Sequence, residues 1–160
     1  MTKNKLTFWA CDYSEISGEG NLARKFIKEN YKKKKYRVES LHSKYFFNYK
    51  YIVPFIGVVK CWKYFFKNHQ VGYLNYLPLW NVLIFLLLPP KTILGPITGG
   101  ALFNKDKKIN YLFKKFIFPI LFKLSELILS FRYEKKIIFS TELLKENLSK
   151  KNLKKSEFNF

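Results

Sequence analysis

Cysteine is scarce in this sequence, with only Cys11 and Cys61, fifty positions apart and without the spacing of a metal-binding pair. Metal-ligand frameworks are therefore excluded, and two buried free thiols in a reducing compartment are expected. Histidine is as scarce. His42 and His69 have no Ser, Cys or carboxylate companion at a readable spacing, so both read as surface or loop residues. Long apolar runs are missing too. The longest, from Leu77 to Leu88, contains Pro78 and Asn81 and stops at Pro89 and Pro90, whereas a membrane-spanning helix needs about 20 apolar residues. The N-terminus "MTKNKLTFWACDYSE" turns acidic before any stretch that would serve as a signal peptide. A cytoplasmic protein is expected, with attachment to the inner membrane face as an additional option.

Acidic residues are few, 11 against 30 Lys and Arg, which leaves a formal charge of +19. Such a charge suits phosphate backbones. Arginine, however, is the residue suited to bidentate phosphate and base contacts, and only Arg24, Arg37 and Arg132 are present. The abundance of Lys, Phe, Tyr, Ile and Asn beside three alanines also follows from an AT-rich coding bias. Nucleic acid is thus disfavoured as a partner, and an anionic membrane surface is the better match for the lysines.

A chain of 160 residues with 48% hydrophobic and 19% aromatic residues can bury a core and fits one domain, residues 1–160. Hydrophobic patterning alternates along it. Strands are expected at 5–12, 36–43, 70–76, 91–95 and 135–140. Helices are expected from near Asn21, over 51–67, around 78–88, over 109–131 with a kink or restart near Pro119, and over 141–150. The last residues, "LKKSEFNF", resemble a segment entering another strand. Five strand–helix alternations imply an α/β fold, a mostly parallel sheet with helices on both faces. In such a sheet ligands bind beyond the carboxyl ends of the strands.

Glycine and proline mark that edge. With seven glycines and six prolines in the chain, three glycines and one proline fall within "GPITGG", residues 95–100. Gly95, Pro96, Thr98, Gly99 and Gly100 either shape a simple turn or let backbone lie against a sugar or phosphate. "GEGNLA", residues 18–23, formally matches the dinucleotide fingerprint, with Glu39 about 20 residues on. The six residues Asp12 to Ser17 separate Gly18 from the strand, where the fingerprint needs a tight turn, so NAD or FAD binding is not expected. Gly18 and Gly20 still permit an anion to approach the following helix start, and a structural turn is the alternative. Asp12 and Glu19 are the nearby carboxylates able to accept a proton. Ser140 or Thr141 reads as a helix cap with Glu142 in the first turn. The Phe-rich segment 109–131, flanked by Lys105, Lys107, Lys108, Lys114 and Lys115, is a core helix whose apolar stripe is wide enough for one edge to touch lipid.

Taken in order, "WACDYSEISGEGNLARKF", "YLNYLPLW", "LGPITGG" and "IIFSTELLK" resemble the N-terminal, acceptor-side half of GT-B glycosyltransferases of the group 1, family 4 type. The resemblance spans about residues 5 to 150. It implies a single Rossmann-like GT-B half-domain facing a cleft shared with a second, nucleotide-sugar-binding domain. It also implies a retaining transfer to a cell-envelope glycan or lipid-linked acceptor. By position, Gly18, Glu19 and Gly20 would lie near the donor diphosphate. Gly95, Pro96, Thr98, Gly99 and Gly100 would shape the acceptor loop, and Asp12, Ser140, Thr141 and Glu142 the cleft edge. No metal or separate cofactor is implied, the nucleotide-sugar being the donor substrate. The family's C-terminal E-x7-E donor motif has no counterpart in these residues, so transfer would need a donor-binding domain from elsewhere. The rival expectation is a non-catalytic basic module that binds an anionic membrane surface or nucleic acid.

Overall fold

The computed structural model describes residues 5–40, 52–75, 77–99, 108–132 and 136–158. Strand β1, Leu6–Ala10, is buried at all five positions, as befits a strand with neighbours on both edges and helices on both faces. It pairs in parallel with β2, Tyr36–Ser40, on one side and with β3, Gln70–Tyr73, on the other. Strand β4, Ile93–Leu94, adds to β3, giving the order β2-β1-β3-β4.

Beyond β4 the glycine–proline segment continues the sheet. The Thr98 carbonyl accepts from the Leu79 N–H at 2.9 Å, and the Thr98 N–H donates to the Leu77 carbonyl at 3.0 Å. On its other side Ile97 donates to the Ile138 carbonyl at 2.8 Å and accepts from the Ser140 N–H at 2.9 Å. These bonds join the four-stranded sheet to β5, Ile137–Ile138, which pairs in parallel with β6, Ser156–Glu157. Every described pairing is parallel.

Alternation along β1 sends side chains to two cores. Leu6, Phe8 and Ala10 pack with Ala23, Phe26 and Ile27 of helix α1, Gly18–Tyr31. Trp9 and Cys11 face the other way, toward Val53, Val58 and Cys61 of α2, Val53–Phe65. Gly57 lets α2 approach closely, because a Cβ there would lie 2.2 Å from the Trp9 indole nitrogen. Each fully buried Phe of these cores contributes about 1.5–3 kcal/mol through removal of apolar surface from water.

On the α2 side lie α3, Val82–Leu87, whose first turn is capped by Asn81, and the 25-residue α4, Lys108–Arg132. Helix α4 runs on through Pro119 rather than restarting there. The segment expected as one closing helix is split. Thr141 caps a 3-10 turn, Glu142–Asn147, and Ser149 then caps α5, Lys150–Leu153, ahead of β6.

Candidate functional site

The order β2-β1-β3-β4 makes the chain leave β1 toward one side of the sheet and β3 toward the other. Their carboxyl ends form a topological switch point, the place where ligands bind in sheets of this kind. Here one buried side chain replaces the ladder. Asn75, 1% exposed, follows β3 and accepts the Cys11 N–H at 2.7 Å through Oδ1. Its Oδ1 also takes a longer bond, 3.4 Å, from the Asp12 N–H. The Nδ2 group donates to the Asp12 carbonyl and, at 3.4 Å, to the Glu19 carbonyl. The amide thus ties the end of β3 to the loop after β1 and to the first turn of α1.

That loop is folded hard onto the helix. Asp12 accepts the Ser14 N–H at 2.8 Å, the short local turn that Asp favours. Ser17 caps α1 by accepting the Gly20 N–H at 2.8 Å. Arg24 reaches back to the Tyr13 carbonyl at 2.9 Å, pairs with Glu15 at 3.0 Å, and lies over the Tyr13 ring. Burial raises the Asp12 pKa, but hydrogen bonds from Ser17 and Ser14 outweigh it and hold the carboxyl below its ordinary value. Asp12 is therefore a fastening carboxylate and a weak base.

The two glycines of this turn differ. A Cβ on Gly20 would stand 2.1 Å from the Ser14 carbonyl oxygen and 2.7 Å from its nitrogen, whereas one on Gly18 would meet nothing within 4 Å. Gly20 is glycine so that the loop can close on the helix. Gly18 is exposed at the start of α1, where the helix dipole is positive. Beside it Ile16 projects from the loop, 97% exposed.

Gly95 stands against the same edge. Its N–H donates to the Tyr73 carbonyl at 2.7 Å, and a Cβ would fall 2.0 Å from the Leu74 carbonyl oxygen, so this glycine is required by the approach of two backbones. Pro96 and Gly99 are buried and Thr98 half-buried; Gly100 lies outside the described residues. Through Ile97, Thr98 adjoins Ser140, one strand further along the edge. Thr141 caps the following turn and Glu142 pairs with Lys145 at 2.8 Å. The edge therefore brings Asp12, Gly18, Glu19, Gly20 and Gly95 around Asn75 and Leu74, with Thr98, Ser140, Thr141 and Glu142 forming its far end.

Sequence reasoning missed Asn75, Arg24 and Ile16. Asn75 had a signal, since an amide within the apolar run "YLNYLPLW" must be hydrogen-bonded when it is buried. Other polar groups have structural partners. Glu39 is engaged by Tyr64 and by Arg37 at 3.0 Å, with Lys60 at 3.9 Å. His69 shares a 2.9 Å hydrogen bond with Thr7 and stacks on Tyr64; burial, then Lys5, Lys67 and Arg37, lower its pKa. His42 lies outside the described residues. Both thiols are free and buried, and desolvation raises Cys11 to about 11 and Cys61 to about 12. Among the described residues no group of three His, Cys, Asp or Glu is placed to hold a metal, and no helix is long and apolar enough to cross a membrane.

Fold and edge together define an α/β protein with a mostly parallel sheet and a topological switch point stitched by Asn75. Comparison with protein-family models, curated proteins and solved structures finds no match for the chain.

Proposed function

We propose that this chain is the Rossmann-like acceptor-side domain of a retaining GT-B glycosyltransferase of the group 1, family 4 type. It would move sugar from a nucleotide-sugar to a cell-envelope glycan or lipid-linked acceptor at the inner membrane face, with a donor-binding domain completing the cleft. The observation that carries the reading is the start of α1 at the β1–β3 switch point. There the loop folds back onto Gly20, and the space over Gly18 stays open. A leaving diphosphate seated there would meet the positive end of the helix, the kind of fixed dipole that stabilises developing charge. Asp12 is held by Ser14 and Ser17, so this half would contribute positioning and electrostatics rather than proton transfer. The exposed Ile16 offers an apolar contact across the cleft.

The test is a titration of the chain with UDP and GDP, followed by amide chemical shifts. Shifts concentrated at Gly18 to Asn21 are expected, and Gly18→Val should weaken binding at least about fivefold while changing stability by less than about 0.5 kcal/mol. Shifts confined to the lysine-rich surface, or an unchanged affinity in Gly18→Val, would sink the assignment.

A second reading, a basic module for anionic membrane surfaces, is favoured by α4. Phe116, Ile120, Leu124, Leu127 and Phe131 are 61%, 60%, 45%, 54% and 71% exposed and recur every three or four residues, opposite the side chains that face the core. An interfacial helix has this construction. The two readings are compatible if the acceptor is lipid-linked.

A further inference from the structure

At the opposite, amino-terminal edge of the sheet lies a groove of about 700 Å³ that the proposed transfer does not use. It lies between the end of α1, the end of α4 and the starts of β4 and β5. Phe26, Tyr31, Ile93 and Ile138 give it an apolar floor. These residues belong to the same core cluster as Phe8, and the groove is where that core stays open. Its volume is within the usual range for a small-molecule site, about 300–1,000 Å³.

Among the described residues the charged groups of the rim are cationic. Lys91, Arg132 and Lys136 line it, and no acidic residue does so among the described residues. Arg132 is fixed in place, donating through Nη2 to the Leu88 carbonyl at 2.7 Å and through Nη1 to the Leu86 carbonyl. Its positive charge therefore meets carbonyl dipoles rather than a carboxylate. Lys136 pairs with Glu157, which is not part of the groove. Lys91 adds a second observation. Its backbone is left-handed, φ 62°, a conformation uncommon for a residue with a side chain, and residues held this way cluster at ligand clamps. The turn is locked by the Thr92 hydroxyl, which donates to the Pro89 carbonyl at 2.7 Å.

We propose that the groove binds a single-chain fatty carboxylate, its hydrocarbon tail along Ile93, Ile138 and Phe26 and its carboxylate between Lys91 and Arg132. Charge complementarity selects this occupant. An apolar floor alone would accept any hydrocarbon, whereas a rim whose described charges, Lys91, Arg132 and Lys136, are all cationic favours a tail that ends in one anion.

Calorimetric titration with sodium laurate below its micellar concentration tests the proposal. One-to-one binding is expected, at least about tenfold tighter than that of dodecanol. Lys91→Gly removes the rim charge at a backbone conformation that glycine adopts freely, so the variant should fold and should lose about tenfold in laurate affinity. Leu124→Glu, on the exposed stripe of α4, should bind laurate like the parent chain, which separates the groove from surface adsorption. Absence of laurate binding, equal affinity for dodecanol, an unchanged Lys91→Gly or a loss in Leu124→Glu would each overturn the proposal. So would a dimer that laurate dissociates, which would give the groove to a second copy of the chain.

Discussion

Gly18 and Gly20 stand one residue apart in "GEGNLA", and the sequence gives them the same meaning, a place where backbone can approach an anion. Packing separates them. The missing side chain of Gly20 is filled by the backbone of Ser14, and that of Gly18 by nothing. Gly20→Ala should therefore destabilise the fold by about 1–3 kcal/mol, the usual cost of forcing a methyl group into occupied space. Gly18→Ala should be neutral or slightly stabilising, since alanine is the better helix former. Urea unfolding of both variants checks this, and equal losses would show that the loop does not close as described. The distinction was illegible in the sequence, because the contact depends on how residues 12–17 fold, and no periodicity encodes that. Asn75 was half legible. Its burial could be read from its apolar neighbours, but its partners, Cys11, Asp12 and Glu19, lie between 56 and 64 positions away in the chain.

At the scale of elements, the long segments were the readable ones. Helices α1, α2 and α4 follow from three- and four-residue spacing and strand β1 from its nearly continuous apolar run, while β2 and β3 fall inside the expected segments 36–43 and 70–76. Strands β4 and β5 fall inside the expected segments 91–95 and 135–140 but have only two residues each, and the pairing of Ile97 and Thr98 depends on neighbours brought in from elsewhere. The stop inside the expected closing helix comes from Ser149, which caps a new helix. Helix α4 was legible as apolar, but its two-sidedness needed the structure. Phe118, Phe122 and Leu129 are buried, while Phe116, Ile120, Leu124, Leu127 and Phe131 face outward, next to Leu83, Leu86 and Leu87 of α3, which are also exposed. If this surface meets lipid, vesicles with anionic phosphatidylserine should bind the chain more strongly than neutral ones, and added salt should weaken the binding. The double variant Ile120→Glu, Leu124→Glu alters only exposed positions and should keep its stability while binding vesicles at least about tenfold less. Undiminished flotation of that variant with anionic vesicles would remove α4 from the membrane reading and leave the lysines alone to account for attachment.

Considered as a whole molecule, the chain carries its titration-sensitive groups where β1, β3 and α2 meet. The Cys11 thiol lies 3.4 Å from the Tyr73 hydroxyl, and Cys61 belongs to the same cluster. Desolvation raises Cys11 from 9.0 to about 11 and Cys61 from 9.0 to about 12, and burial raises Tyr73 as well. Below pH 9 each thiol is protonated in both the folded and the unfolded chain and contributes no pH dependence. Above pH 9 the unfolded chain releases the proton and the folded chain keeps it, so stability falls as pH rises. The loss is about 1.4 kcal/mol per pH unit for each thiol until the folded value is reached. The Cys11→Ala, Cys61→Ala double variant isolates this contribution. Urea unfolding at pH 8, 9 and 10 should show a steeper decline in the parent than in the variant. Parallel declines would mean that the thiols are not desolvated by the packing of α2 on β1 and β3.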